Sequence, residues 1–353
     1  MAHWTSRLIL GFLFVTLAFL SGCISVSGQA NAASEQSSNV KIIAMGDIHG
    51  DYNAYHDVMI AAGLINSEGD WIGGSTIFVQ TGDVADRGPD SRKIIEHLQN
   101  LGKQARKKGG KIITLVGNHE AMNMTADLRY VHTGEYAAFK TENSETLRNR
   151  LFLANKNVIE TFYKKQNPDL SSEDIRAKWE ATSPLGKLEH QAAWGPKGDI
   201  GKWVAKNPAV ALVDGNLFAH GGLSQKYIDY SLKDINKAVK KALKAQDESQ
   251  DSIINDPFGP LWYRGLVSKK SDSADGNGLT PEAEVDSVLA AYGANRIIVG
   301  HTPETKGIKA SYAGKLIQID TGMSEYYKGT RSYLRIENGE VFAHNDGTIR
   351  KIE

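Results

Sequence analysis

Three β-prone runs of this chain end in the same way, and that repeated ending constrains the fold more than any other feature. Val40–Met45 leads into Gly46-Asp47-Ile48-His49-Gly50, and Thr76–Thr81 into Gly82-Asp83-Val84-Ala85-Asp86-Arg87-Gly88. Lys111–Val116 leads into Gly117-Asn118-His119-Glu120. Each run has the length and apolar content of a buried strand. Two later passages repeat the device: Leu217–Ala219 delivers His220-Gly221-Gly222, and Arg296–Val299 delivers Gly300-His301-Thr302-Pro303. Carboxylates, an amide and imidazoles at the carboxyl ends of neighbouring strands converge where open α/β sheets bind their ligands. The flanking glycines are expected to allow tight strand-to-loop turns and close backbone approach to a small ligand.

Between these runs the pattern is helical. Asp51–Ala62 stops at Gly63, and Ser91–Leu101 puts Ile94, Ile95, Leu98 and Leu101 on one face before an expected stop at Gly102. Thr280 before Pro281 and Glu282 is a helix start, with Gly293 as its stop. Lys233–Lys244 reads as a solvated amphipathic helix. Ala209–Val213 and Lys315–Ile319 complete the expected strands, with hairpin turns at Asp214-Gly215-Asn216 and at Asn338-Gly339, the latter between Tyr333–Ile336 and Val341–His344. Alternating strands and helices predict an α/β fold. Residues 121–207 differ, being polar, helix-prone and almost free of strand signals; they are expected to form a helical insertion, one of whose helices opens at Ser172 and Glu173.

A single Gly-Asp at a strand end is ordinarily a turn, and a single histidine ordinarily structural. His3, His56, His97, His132, His190 and His344 keep that ordinary reading. His49, His119, His220 and His301 depart from it, because each stands beside Gly or Asn after an apolar run. Five such sites in one chain exceed what turns alone explain. The only cysteine, Cys23, excludes an intrachain disulfide framework and a zinc–thiolate cluster, so any metal here is held by nitrogen and oxygen. Such ligands suit Mn, Fe or Zn. Hydrophobic residues make up 41% of the chain, which excludes a disordered, collagen-like or polytopic membrane protein. The formal charge of zero argues against a nucleic-acid partner.

The first forty residues read as an address. Arg7 precedes an apolar run from Leu8 to Leu20, too short to span a bilayer as a helix and matching a signal-peptide core. Leu20-Ser21-Gly22-Cys23 follows at once and resembles the lipobox of bacterial lipoproteins, which implies cleavage after residue 22 and lipid on Cys23. The alternative is ordinary cleavage after Ala30-Asn31-Ala32. Either route predicts an exported, periplasmic protein, membrane-anchored through Cys23 in the first case and soluble in the second. Residues 23–39 read as a flexible linker and 40–353 as the catalytic domain.

The glycine-bounded clusters, read as GDxHG (Gly46–Gly50), GDxxDRG (Gly82–Gly88) and GNHE (Gly117–Glu120), resemble those of the calcineurin-like metallophosphoesterases, in their phosphoprotein phosphatase branch. The closest resemblance is to bacterial Shewanella-like phosphatases; HGGLS at His220 and GHTP at His301 complete it, over roughly Val40 to the C-terminus. The resemblance implies an αββα sandwich of two mixed sheets flanked by helices, carrying two metal ions. Asp47 and His49 would bind one metal, Asn118, His220 and His301 the other, and Asp83, having two oxygens, would bridge them. Metal-activated water would attack phosphorus directly, without a phosphoenzyme. Arg87, and Arg264 in Leu261-Trp262-Tyr263-Arg264-Gly265, would hold phosphoryl oxygens together with Asn118. His119 would protonate the leaving oxygen, oriented by Asp86. Cys23 lies in the export segment, which excludes a cysteine-nucleophile phosphatase.

The implied substrate is a phosphorylated protein or a small phosphoester, phosphotyrosine ahead of phosphoserine and phosphothreonine. GHTP also occurs in a second class, the diadenosine tetraphosphatase-like nucleotide hydrolases, although an export signal argues against their largely cytosolic substrates. A non-catalytic, lipid-anchored binding module is the third reading, and it is disfavoured because every expected ligand is present. Composition and motifs leave the oligomeric state open.

Overall fold

Residues 42–45 show how the chain divides its side chains. Ile42 and Ala44 face one way and Ile43 and Met45 the other, and all four are fully buried, so the strand has a packed layer on each face. In this computed structural model, which describes residues 40–268 and 278–352, eleven strands build two sheets. The strands are β1 (Ile42–Met45), β2 (Ile77–Gln80), β3 (Lys111–Thr114), β4 (Val210–Val213), β5 (Asn216–Ala219), β6 (Arg296–Val299), β7 (Lys309–Ser311), β8 (Leu316–Gln318), β9 (Ser332–Glu337), β10 (Glu340–Asn345) and β11 (Thr348–Ile352). The first sheet has the order β11-β10-β9-β1-β2-β3 and the second β4-β5-β6-β8-β7. Each holds a parallel centre, β1-β2-β3 and β5-β6-β8, with antiparallel strands added outside it.

The helices are α1 (Tyr52–Ala61), α2 (Ser91–Lys107), α3 (Asn118–Met124), α4 (Ser144–Gln166), α5 (Ser172–Thr182), α6 (Lys187–Trp194), α7 (Asp199–Val204), α8 (Leu232–Ala245), α9 (Gly265–Ser268) and α10 (Pro281–Tyr292). Three apolar cores follow from the layering. Ile42, Ala44 and Val79 of the first sheet meet Phe218, Ile298 and Ile317 of the second, forming the core between the sheets. Ile43, Met45 and Phe78 face outward onto Ile94, Ile95 and Leu98 of α2. Leu217, Ile297 and Val299 pack on Val285, Val288 and Leu289 of α10. The architecture is therefore α/β, with two mixed sheets face to face and helices on both outer faces. All three cores lie within the unit Ser37–Glu353. Truncating Phe218, fully buried between the sheets, to alanine is expected to cost about 3–5 kcal/mol.

Local signals set most boundaries. Asp51 caps α1 through its carboxylate, Ser171 caps α5 in a reciprocal box with Asp174, and Thr280 caps α10 ahead of Pro281. The expected strands β1–β4 and β8 shorten by one or two residues, β6 keeps its bounds, and β5, β9 and β10 gain one residue at one or both ends. The expected stop of α2 at Gly102 is incorrect. Leu101 and Ala105 keep the buried face going past that glycine, and the helix ends only at Lys107, before Gly109 in the left-handed region. One interior glycine costs about 1 kcal/mol, less than the burial that continues beyond it. The edge strands β7 and β11 were not foreseen. Among the described residues no helix is long and apolar enough to cross a membrane. Cys23, the apolar run before it and the Ala32 cleavage site lie outside the described residues.

Candidate metal centre and active site

The loops after β1, β2, β3, β5 and β6 meet at one edge of the two sheets. His49, Asp83, Asp86, Arg87 and His301 all adopt positive φ, between 50° and 70°. Such backbone costs about 1–3 kcal/mol per residue and persists only where surrounding bonds fix it. Here the amides of Ile48 and His49 both donate to the carbonyl of Asp83, Gly50 donates to Val84, and Arg87 donates to Tyr130. The Glu120 carboxylate accepts from the amides of Asp83, Val84, Ala85 and Gly117 at 2.8–3.2 Å, tying the second motif to the third. The tight turns expected of the glycines are present at Gly50 and Gly82, which adopt positive φ, and two further glycines serve another purpose. A side chain at Gly117 would collide with the Asp83 carboxylate, and one at Gly300 would come within 2.5 Å of Asp47 Oδ1. Gly117 and Gly300 make room for these carboxylates.

The polar side chains converge largely as acceptors, with backbone amides donating to the carboxylates. Asp83 Oδ1 accepts the amide of His119 at 2.9 Å. Its Oδ2 lies 3.2 Å from His220 Nε2, 3.8 Å from His119 Nε2 and 3.9 Å from His49 Nε2. Oδ1 thus accepts a backbone amide, while Oδ2 is the oxygen that the three imidazoles face. Carbonyls only accept, so the contacts of His49 Nδ1 with Ala85 O (3.1 Å) and His220 Nδ1 with Thr81 O (2.9 Å) place the proton on Nδ1 of each ring. Each Nε2 then presents a lone pair. That of His220 lies 2.9 Å from Asn118 Oδ1, two acceptors face to face. His301 Nε2 is buried with no partner, and the His301 amide lies 3.1–3.2 Å from both oxygens of Asp47.

Electrostatics agree with this reading. Burial, followed by repulsion from Asp320 and Asp83, raises Asp47 well above the usual carboxylate range, and burial raises Asp320 to about 6. Burial works against the Asp83 anion too, yet that carboxyl is held well below its usual range, with the charged form of His119 beside it favouring the anion. Burial lowers His49 to about 3 and His301 to about 2, so both are neutral donors of a lone pair. Among the described residues, no lysine or arginine lies within ion-pair distance of Asp47, Asp83 or Asp320. Buried carboxylates facing lone pairs and no fixed cation fit metal ions. Donor atoms of His49, Asp83 and His119 lie within 4.8 Å of one another, as do those of Asp83, His220 and His301.

His119 belongs to this cluster but is claimed from its other side. Its Nδ1 lies 2.6 Å from Asp86 Oδ2, while Asp86 Oδ1 accepts from Asn123 at 2.8 Å. Burial would lower His119, yet Asp83 and then Asp86 raise it above the ordinary histidine value. At the rim, the Arg87 guanidinium lies 4.0 Å over the Tyr130 ring and 4.7 Å over Tyr326, whose hydroxyl accepts from it at 3.1 Å. Tyr327 lies against His49, ring centroids 5.3 Å apart. Arg264 is exposed and donates to the His301 carbonyl at 2.8 Å and to Thr302 at 3.0 Å. All the candidates from Asp47 to His301 thus gather at one edge, with Arg264 at its margin. Glu120, Asn123, Asp320, Tyr130, Tyr326 and Tyr327 were not assigned roles from sequence. Of these only Glu120 stood inside a motif that could have drawn attention to it.

A fold of two mixed sheets carrying a His/Asp/Asn cluster at their shared edge defines a class. The calcineurin-like phosphoesterase family matches residues 40–305, and the chain belongs to it. It is a metal-dependent phosphatase of the dinuclear kind, with two metal ions of unspecified identity. Within that family it falls with the Shewanella-like protein phosphatases. It is 33% identical to Shewanella-like protein phosphatase 2 of Arabidopsis thaliana, over 81% of this chain and 72% of that protein. It is 28% identical to Shewanella-like protein phosphatase 1 of Plasmodium berghei, over 86% and 74% of the two chains. The crystal structure of a cold-active protein-tyrosine phosphatase from a psychrophilic Shewanella is similar at 26% identity and a TM-score of 0.66, covering 89% of this chain and 80% of that one.

Proposed function

We propose that this chain removes phosphate from phosphorylated proteins or peptides, favouring phosphotyrosine, by direct attack of water. Asp47 and His49 would hold one cation and Asn118, His220 and His301 the other, with Asp83 shared between them. Two bound cations would supply Lewis acidity and an activated water. The remaining work falls to side chains. Arg87 and Arg264 fork onto phosphoryl oxygens, and Asn118 adds a contact there. His119 carries a proton on Nε2 toward the leaving oxygen, while Asp86 holds Nδ1 and favours the charged ring.

The observation that carries the preference for phosphotyrosine is the rim. Arg87 lies between the rings of Tyr130 and Tyr326, with Tyr327 on His49 beside them. A phenyl ester entering there meets aromatic faces while its phosphate meets the guanidinium. The similarity to the cold-active protein-tyrosine phosphatase of a psychrophilic Shewanella supports the same preference. Phosphotyrosine, phosphoserine and phosphothreonine peptides, assayed beside a dinucleoside polyphosphate with Mn, Fe or Zn restored after chelation, test it. A higher kcat/KM on phosphotyrosine is expected; preference for the dinucleotide would favour the nucleotide-hydrolase reading suggested by GHTP. We also propose export to the periplasm with lipid on Cys23, tested by labelling with a palmitate analogue and by its loss in Cys23→Ser.

A further inference from the structure

The helical insertion sends one buried carboxylate toward the catalytic edge. A 3₁₀ turn, Thr133–Phe139, lays Glu135 against the first residues of α2. Glu135 is 1% exposed; its Oε2 accepts the Ser91 amide at 2.9 Å and its Oε1 the Arg92 amide at 3.1 Å. Asp90, at the N-cap position of α2, makes no side-chain cap bond. The first two amides of α2 are therefore satisfied by a carboxylate from another part of the chain. Burial pushes Glu135 up to about 7, while the amide and hydroxyl of Ser91 and the amide of Arg92 favour its anion. Arg92 grips the same turn, donating to the Ala138 carbonyl at 2.7 Å with its guanidinium 4.9 Å from the centre of the Phe139 ring. Behind the turn, Tyr136 and Phe139 pack on His190 of α6.

Ser91 passes this restraint onward. It is buried, and its Oγ accepts the Asp86 amide at 3.2 Å. Asp86 and Arg87 hold φ of 70° and 67° without glycine's freedom, so their backbone needs such bonds to stay in place. Asp86 in turn directs Oδ2 to His119 Nδ1 at 2.6 Å. One path of hydrogen bonds thus runs from the insertion to the imidazole, through Glu135, Ser91, Asp86 and His119. Without the Glu135 carboxylate the start of α2 loosens, and with it the hydroxyl that holds the Asp86 backbone. A carboxylate free to drift on a strained loop no longer fixes the angle of the ring it orients. Arg87 has a separate anchor, its amide donating to the Tyr130 carbonyl at 3.0 Å, so phosphate binding is spared. We infer that Glu135 is a positioning residue: through Ser91 it fixes Asp86 and thereby sets the orientation of His119. The inference rests on the proton-donor role proposed for His119 above, and it gives the helical insertion a part in the chemistry.

The test measures kcat and KM on a phosphoserine peptide and on an aryl phosphate, using the full chain with metal restored after chelation. In Glu135→Gln the side chain keeps one acceptor but turns a donor toward the second backbone N–H. Its kcat on phosphoserine should fall about 10- to 100-fold, the scale of a misplaced reacting group. On the aryl phosphate the fall should be about threefold or less, because a phenolate needs little protonation. KM for both should stay within about twofold, since substrate binding is not touched. Ser91→Ala should show the same pattern at about fivefold, the equivalent of one hydrogen bond. The double variant Glu135→Gln/His119→Asn decides between positioning and general loosening. It should turn over phosphoserine at the rate of His119→Asn alone, to within about twofold, because no proton donor is left to orient. Metal content and Tm verify folding; if Glu135→Gln loses either, Ser91→Ala and Ser91→Ala/His119→Asn carry the same test. Where His119→Asn is itself selective for poor leaving groups, three results would each overturn the positioning role alone: no loss in the single variants, equal losses on both substrates, or additive losses in the double variant. Absence of that selectivity in His119→Asn would overturn the proton-donor reading and this inference with it.

Discussion

Two buried histidines in this protein behave in opposite ways, and the difference separates its catalytic edge from its helical insertion. His119 and His190 are 5% and 1% exposed. His119 stands between Asp83 and Asp86, and their charges raise it despite burial. His190, on α6, is enclosed by the rings of Tyr136, Phe139 and Trp194 at 5.3, 4.9 and 5.9 Å. Burial there, helped by Lys187, lowers it to about 3. Equal burial thus favours the charged ring in one place and the neutral ring in the other. Neighbouring carboxylates, not depth, assign the role.

The largest expected effect tests whether the catalytic edge acts as one unit. Asp83→Asn removes the charge on which three imidazoles converge and should lower kcat on the order of a thousandfold, with loss of bound metal measured by elemental analysis. Unchanged turnover in a metal-replete assay would break the site assignment at its centre.

His119→Asn comes next, and it tests the first half of the comparison. General-acid catalysis contributes about 10²–10⁴-fold where the leaving group is poor. The loss should approach that range on phosphoserine peptides and stay about tenfold or less on an aryl phosphate, whose phenolate departs more readily. Equal losses on the two substrates would remove the proton-donor role and leave His119 with no function that His190 lacks.

The second half is tested by pH. His190 has a folded value near 3 against about 6.5 when unfolded, so the unfolded chain binds the extra proton first. Its contribution is complete above pH 6.5 and is lost as pH falls toward 3. Between pH 7.5 and 5 this costs about 1–2 kcal/mol. In His190→Leu the drop in Tm over that interval should shrink by a few degrees, as read by calorimetry. An identical drop in both proteins would mean that the ring is not buried as a neutral wedge.

The catalytic edge was far more legible in sequence than the insertion. Ligands at strand ends are announced by apolar runs that stop abruptly at Gly-Asp or Gly-Asn, and backbone geometry then dictates that they meet. The insertion carries no comparable punctuation: Ser172 and Glu173 signalled one helix, but nothing local says that Tyr136, Phe139 and Trp194 enclose His190. Gly102 misled for the related reason that tertiary burial at Leu101 and Ala105 overrides one unfavourable residue. Asp320 and Tyr326 escaped notice because their roles depend on loops that only the second sheet brings near. Glu120 was in view, yet its four amide partners lie on two separate loops and become apparent only in three dimensions.

The smallest effect concerns the rim, where the two regions adjoin through Tyr130, which follows the third motif by about ten residues, and Tyr326, beyond β8. Tyr326→Phe keeps the ring over Arg87 and removes only the 3.1 Å bond from the guanidinium to the hydroxyl. Tyr326 is 55% exposed, so water replaces most of that bond and the cost should sit near the lower end of about 0.5–1.5 kcal/mol. The expected result is a rise of about two- to fivefold in KM for a phosphotyrosine peptide, with kcat unchanged, because the bond fixes Arg87 before the chemistry starts. Tyr326→Ala removes the ring as well and should raise KM further for phosphotyrosine than for phosphoserine. If the two peptides respond alike to the alanine change, the ring only steadies Arg87, and the aromatic rim does not select the substrate.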